Sequence, residues 1–244
     1  MQILKSTELS VALLAGGLAT RLKPITERIP KCLVEVAGKP FLEHQFEHLS
    51  RCGLKQIVLC LGHMGEMVRG FAGNGSRFGL QLLYSFDGNE PLGTGGALLK
   101  ALPLLTDPFF VLYGDSYLPI RFDEIGTRFL SDPSLGCMTV FHNLDRWEKS
   151  NVWFQDGRVR MYHKRTPNPC MEHIDYGLGM LRHSAFTYAP IEGAFDLAEL
   201  YESLVDAGQL QGQEVSERFY EIGSHVGLQE LNDFLSASSK LEKP

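Results

Sequence analysis

Cysteine is sparse in this chain of 244 residues. Its five cysteines, Cys32, Cys52, Cys60, Cys137 and Cys170, are odd in number, scattered, and never in a C-x-x-C pair. That pattern excludes a disulfide framework or a zinc ribbon and leaves reduced, mostly buried thiols. Long apolar runs are also missing, so no segment reads as a membrane span. The N-terminus, MQILKSTELS, has neither the basic start nor the apolar core of a secretory signal, and a cytoplasmic protein without membrane contact is expected. Excess positive charge is absent: the formal net charge of -6 argues against a nucleic-acid-binding surface, which needs a basic stripe. None of the eight histidines has convincing metal spacing, and there is no Gly-x-Ser-x-Gly elbow. His44 and His48 stand four apart, but the catalytic glutamate of H-E-x-x-H is missing, so they read as surface or packing residues. No repeat at solenoid periods occurs, and the polar tail SASSKLEKP is the one short biased tract.

The residues that are present describe an ordinary globular chain, 44% hydrophobic and 21% charged, long enough for a substantial core. One domain over residues 1–244 is the simplest reading. Residues 10–15, 56–61 and 109–113 are short continuous apolar runs, the pattern of strands covered on both faces. Between the first two, Pro40 opens a stretch in which Phe41, Leu42, Gln45, Phe46 and Leu49 recur at helical spacing, and Gly53 closes it. Strand, helix, strand implies βαβ units, right-handed crossovers and a largely parallel sheet with ligands beyond the carboxyl ends of the strands, where Gly16 and Asp115 fall. The second half reads as antiparallel. Strands are expected over 135–141 and 152–155, an Asp156-Gly157 turn leads into 158–163, and another strand covers 174–181. A helix over 195–207, a strand near 219–222 and a closing helix over 226–236 complete the chain. Residues 1–120 and 121–244 read as its two halves.

The stretch from Leu14 to Lys31 carries the most information. An apolar run ends in Gly16 and Gly17, which let the backbone turn tightly and aim successive N–H groups at an anion. Arg21 adds a planar fork of donors and Lys31 a compact point charge, a pairing suited to a polyphosphate. The stretch has no GKS or GKT ending, so it is not a P-loop, and it lacks the third glycine of the dinucleotide fingerprint. Farther on, FFVLYGDS delivers Asp115 to the end of a buried strand, where a carboxylate needs a cation or donors. Magnesium meets that need, since it takes one or two carboxylates while substrate phosphates supply other oxygens.

Gly16, Gly17, Thr20, Arg21, Leu22, Pro24, Thr26, Pro30 and Lys31 together resemble the signature of the sugar-1-phosphate nucleotidylyltransferases. The resemblance implies an α/β, Rossmann-like three-layer nucleotide-diphospho-sugar transferase fold, with a mostly parallel central sheet and a small antiparallel sugar-binding lobe. It also implies a Mg2+ cofactor, with Asp115 as a ligand. A second metal carboxylate is expected near the C-terminus, where Glu221 stands in FYEIGS in place of the family's aspartate, one methylene longer. The loop EPLGTGGA, with Glu90 and Gly95, is expected along the nucleotide base, and Leu14, Ala15, Gly16 and Gly17 along the nucleotide itself. Lys164 matches the lysine that grips the sugar phosphate, while Asp175, Tyr176 and Gly177 occupy the family's sugar-facing strand.

The activity so implied is attack by a sugar 1-phosphate oxygen on the α-phosphorus of a nucleoside triphosphate, giving nucleotide-sugar and pyrophosphate. Arg21, Lys31 and Lys164 are the expected catalytic cations. Within the family the GTGGA turn and EIGS ending resemble the short heptose-1-phosphate guanylyltransferases, and the uridylyltransferase acting on N-acetylmuramate 1-phosphate is the close rival. A glycosyltransferase would use an Asp-x-Asp pair, whereas Gly114-Asp115-Ser116 offers one acid. A non-catalytic regulatory relative would be expected to lose Arg21, Lys31 or Asp115, and all three are present. Oligomeric state is not legible.

Overall fold

The structure is a computed structural model that describes residues 5–17, 22, 24–166, 168–190 and 193–241. The order of elements begins β1 (Val11–Leu14), β2 (Glu35–Val36), β3 (Lys39–Pro40), α1 (Phe41–Arg51), β4 (Gln56–Leu61), α2 (Gly65–Ala72), β5 (Gln81–Phe86), α3 (Gly93–Ala101) and β6 (Phe109–Tyr113). It continues with β7 (Ser116–Tyr117), α4 (Phe122–Leu130), β8 (Gly136–His142), β9 (Val152–Gln155), β10 (Arg158–Tyr162) and β11 (His173–Leu181). The last elements are α5 (Leu197–Asp206), β12 (Leu210–Val215), β13 (Tyr220–Glu221) and α6 (His225–Leu241).

A nine-stranded sheet in the order β5-β4-β1-β6-β11-β8-β12-β10-β9 organises the described residues. Its first four strands run parallel, as the βαβ pattern requires. From there the expected parallel character gives way to a mixed sheet. β11 runs against both β6 and β8, β12 is again parallel to β8, and the β9–β10 hairpin closes the edge antiparallel. The antiparallel portion is thus a continuation of one sheet rather than a separate small one. The hairpin turns at Asp156 and Gly157, whose φ of 52° and 72° are those of a two-residue I′ turn.

β1 is buried on both sides, which explains its unbroken apolar run. Val11 and Leu13 join a core under α1, α2 and α4 with Leu42, Phe46, Val68 and Phe122, while Ala12 and Leu14 meet Leu98, Leu197 and Leu200 from α3 and α5. Burying a side chain such as Phe46 stabilises the fold by about 1.5–3 kcal/mol. Gly53 ends α1 at φ +80°, with Leu54 N–H returning to the Leu49 carbonyl, because only that left-handed residue lets the chain double back into β4. The amphipathic α6 covers a third, smaller cluster of Val36, Phe41, Tyr117, Ile222 and Leu231. Among the described residues no helix is long and apolar enough to cross a membrane.

All five thiols are free, four of them buried and Cys170 exposed, in line with the sequence reading. The helical histidines are packing groups: His44 Nε2 lies 2.7 Å from the Val36 carbonyl, and His48 packs against the rings of Tyr117 and Phe122.

Candidate active site

Parallel register builds the site. Leu14 is level with Cys60 on one side and Tyr113 on the other, and Leu61 is level with Phe86, so four strands end in line. The residues that follow them, Ala15–Gly17, Gly62–His63, Asp87–Asn89 and Gly114–Asp115, therefore emerge on one edge and line a single cavity of about 700 Å³. The chains are close there. A side chain at Gly16 would stand 3.0 Å from the Gly62 nitrogen, and one at Gly114 would stand 2.5 Å from the Leu14 carbonyl oxygen. Glycine is a steric requirement at 114, and at 16 any side chain would press on the Gly62 backbone, which is why glycines stand where the strands end.

Lys31 enters the cavity from the loop after β1. Its Nζ donates to Asp115 Oδ2 at 2.6 Å, with the lysine side chain 16% exposed and the aspartate 35%. The two charged groups read separately from the sequence thus meet at the carboxyl ends of β1 and β6. The β7–β13 ladder sets Glu221 opposite Ser116, and Ile222 N–H bonds the Asp115 carbonyl at 3.0 Å. That brings Glu221 beside Asp115 in the backbone. Gly223 shares the main cavity wall, and Glu221 borders a neighbouring recess of about 160 Å³ with Trp147 and Arg218. Arg21, together with Thr20, lies outside the described residues.

The other expected residues divide. Leu14, Ala15, Gly16 and Gly17 line the cavity as anticipated. Glu90 is exposed, and Asn89 and Pro91 on either side of it line the wall instead. Gly95 is buried in α3, where a side chain would run into the Phe195 ring, and its N–H bonds the Phe195 carbonyl, so its smallness serves the contact between α3 and the segment before α5. Besides Pro91, the residues of that loop that line the cavity are Gly93, Thr94 and Ala97.

Tyr176 corrects the sequence reading. It is 1% exposed and packs in the core against Phe141 and Phe219, because successive strand residues point to opposite faces and its face is the apolar one. Asp175, next to it, faces the other way. The ladder between β11 and β8 is irregular from Asp175 to Gly179, and Gly177 adopts φ +100° against Ser116. Asp175 Oδ1 accepts from Gly177 N–H at 3.0 Å, and Tyr162 also bonds the carboxyl. Burial pushes the Asp175 carboxyl up to about 6, against the pull of the Gly177 amide and the Lys164 charge.

Lys164 is half-exposed and bonds Asp196 Oδ2 at 2.8 Å. Asp196 also accepts from Thr94 Oγ1 at 3.1 Å and caps α5 through Ala198 N–H. Burial opposes its charge, but those donors and Lys164 hold its carboxyl below the usual range. Thr94 lines the cavity, so one hydrogen-bond chain joins the cavity wall to Lys164. Asp196 escaped the sequence reading although D-x-x-E, with Glu199 returning to the cap N–H, marks a helix start. Asp87, Gly62 and Tyr113 also line the cavity without having been singled out. Gly62 and Asp87 follow the strand ends directly, and a search at those positions would have found them.

Among the described residues no group of three or more histidine, cysteine or carboxylate side chains is arranged to hold a metal ion.

Comparison with known proteins places this geometry. Mannose-1-phosphate guanylyltransferase catalytic subunit beta of Danio rerio is 31% identical over 223 residues, covering 86% of this chain and 60% of that protein. D-glycero-alpha-D-manno-heptose 1-phosphate guanylyltransferase of Campylobacter jejuni is 34% identical over 146 residues, covering 59% of this chain and 63% of that one. The matches thus span less than two thirds of the length of either relative. HddC from Yersinia pseudotuberculosis, solved in complex with GMP-PN, superposes with a TM-score of 0.75 at 24% identity, covering 93% of this chain and 99% of the other, which bears on fold alone. The family described as nucleotidyl transferase matches residues 11–149, a span that contains β1, the Lys31 loop, the whole parallel half of the sheet and Asp115. With the strand-end cavity and its lysine–aspartate pair inside that span, the chain belongs to the nucleotidyl transferase family.

Proposed function

We propose that this chain is a sugar-1-phosphate nucleotidylyltransferase, joining the nucleotidyl group of a nucleoside triphosphate to a sugar 1-phosphate and releasing pyrophosphate. The observation that carries the reading is the Lys31–Asp115 pair at the end of two parallel strands, facing a cavity floored by glycines. Such a site offers a cation for phosphate oxygens and an acid for a counter-ion within one ligand's reach.

A phosphate oxygen of the sugar 1-phosphate attacks the α-phosphorus in line while the α–β bridging oxygen leaves with pyrophosphate, so no covalent enzyme intermediate is required. Lys31 stabilises charge on the phosphates at the bond being broken, and Arg21 holds the departing pyrophosphate. Lys164 places the nucleophile, with Asp175 beside it on the sugar side. For a hard divalent cation Asp115 offers carboxylate oxygen at the cavity wall, and the resemblance adds Glu221, which pairs with Ser116 across the β7–β13 ladder and borders the adjoining recess. Bound there by Asp115 and Glu221, Mg2+ would supply charge neutralisation at the phosphates. The substrate pair favoured by resemblance is GTP with a heptose 1-phosphate, with UTP and N-acetylmuramate 1-phosphate as the rival pair.

The test is pyrophosphate release from four nucleoside triphosphates against a panel of sugar 1-phosphates, with and without magnesium. Magnesium-dependent release that requires both substrates is expected. If no pair releases pyrophosphate, the reading is wrong.

A further inference from the structure

Asp87 is a cavity-wall acid that the chemistry above does not use. It follows β5 and is fixed through its backbone: its N–H bonds the Leu61 carbonyl at 2.8 Å, and its own carbonyl accepts from Lys100 Nζ at 3.0 Å. The Lys100 ammonium is therefore bonded to the peptide oxygen and not to the acid. The carboxylate itself accepts one long bond, 3.4 Å from Leu92 N–H, and has no ion-pair partner among the described residues. Burial raises its carboxyl above the usual range, with the Leu92 amide and the Lys100 charge opposing, as befits an acid short of donors.

Its place in the cavity defines what could supply those donors. Gly62 sits between Gly16 and Asp87, so that a side chain at residue 62 would stand 2.9 Å from the Gly16 carbonyl oxygen and 3.2 Å from Asp87 Oδ2. Lys31 and Asp115 occupy the far side of Gly16. A triphosphate held by the glycine turn and Lys31 thus leaves its base for the Asp87 side, across the gap that glycine at 62 keeps open. Among the common bases, guanine alone presents two adjacent donors, N1–H and the 2-amino group, on one edge. Uracil and thymine flank a single N–H with carbonyl oxygens, and adenine and cytosine place a ring acceptor beside their amino group. Against a carboxylate those neighbouring acceptors are repelled, whereas two adjacent donors match its two oxygens.

Resting on the nucleotidyl-transfer reading, we infer that Asp87 is the residue that selects the base, and that it selects guanine by binding N1–H and the 2-amino group together. The amide of Asp87→Asn replaces one acceptor by a donor. Xanthine replaces the 2-amino group by a carbonyl oxygen, so the variant and xanthosine triphosphate are matched to each other.

The experiment measures kcat/KM of pyrophosphate release for GTP, inosine triphosphate, xanthosine triphosphate, ATP, CTP and UTP, in the unaltered protein and in Asp87→Asn. The unaltered protein is expected to prefer GTP and to lose roughly 10–100-fold with inosine triphosphate, which lacks only the 2-amino group, the range for a hydrogen bond to a charged partner. In Asp87→Asn the ratio of GTP to xanthosine triphosphate should fall by at least about tenfold. Loss of packing alone would lower both nucleotides together and leave that ratio unmoved. Preference of the unaltered protein for UTP, CTP or ATP overturns the inference while leaving nucleotidyl transfer standing, as does an unchanged ratio in the variant. The GTP-to-inosine comparison needs no variant and decides the matter should Asp87→Asn fold poorly. Failure of every triphosphate overturns the parent reading and this inference with it.

Discussion

Replacing Asp115 by asparagine keeps the shape of the side chain and removes its charge. In the resting protein Lys31 Nζ lies 2.6 Å from Asp115 Oδ2. Two unit charges at that separation attract by about 6 kcal/mol at an effective dielectric of 20, but desolvation cancels most of the gain. With the aspartate side chain 35% exposed, the net loss on substitution is about 1–2 kcal/mol, or roughly 3–6 °C in Tm for a chain of this size. The consequence for turnover is much larger. Asparagine cannot offset the charge of Lys31 or anchor a cation against the phosphates, and loss of a preorganised electrostatic group at a reacting centre costs about 3–4 kcal/mol, on the order of 10³-fold in kcat. The assay is steady-state pyrophosphate release at saturating substrates, paired with a thermal melt showing that the variant is folded. A folded Asp115→Asn protein retaining kcat within about tenfold of the unaltered protein would refute the assignment of Asp115 to the reacting centre.

Lys164→Ala should raise KM for the sugar 1-phosphate by about 10–100-fold while leaving KM for the triphosphate nearly unchanged, as initial-rate kinetics with each substrate varied will show. Gly114→Ala forces a methyl to within 2.5 Å of the Leu14 carbonyl oxygen, and urea denaturation should record a loss of about 3 kcal/mol. Asp175 should make stability depend on pH. Because its folded carboxyl is raised to about 6, the native state binds a proton that the unfolded chain releases near 3.8, so stability falls as pH climbs between those values. Asp175→Asn removes that dependence, and its melting temperature should equal that of the unaltered protein near pH 4 and exceed it at pH 7.5, by up to about 3 kcal/mol in stability.

Three of the four strands of the parallel half were legible because their signals are local, whereas β5 and α2 were not read. Strands β1, β4 and β6 are buried on both faces and so must be apolar throughout, and α1 carries its own opening proline and closing glycine. β12 was not legible. Its sequence, LQGQEV, looks like a polar loop, yet it is held parallel to β8 and finds partners elsewhere, Gln213 donating to the Ile125 carbonyl at 3.1 Å. That is a tertiary arrangement no window of six residues contains. α4 was passed over for a similar reason: Gly126 lies mid-helix, which weakens the local signal, and the structure needs it there because a side chain would press on Ser6 and Phe110. In the site, Lys31 and Asp115 were readable from charge at strand ends. Tyr176 was misassigned because strand alternation turns it toward Phe141 and Phe219, and which face of β11 is covered is set by distant segments.

The antiparallel strand β11 lies between β6, the last strand of the parallel half, and β8, the first of the other half, and is hydrogen-bonded to both. The two halves therefore share one ladder, with no linker about which they could swing as separate bodies. Opening and closing by hinge rotation would break main-chain bonds in the centre of the sheet. Accommodation of one substrate after another must fall to the connections at the strand termini, whose rearrangement leaves the scaffold intact and sets how fast products depart.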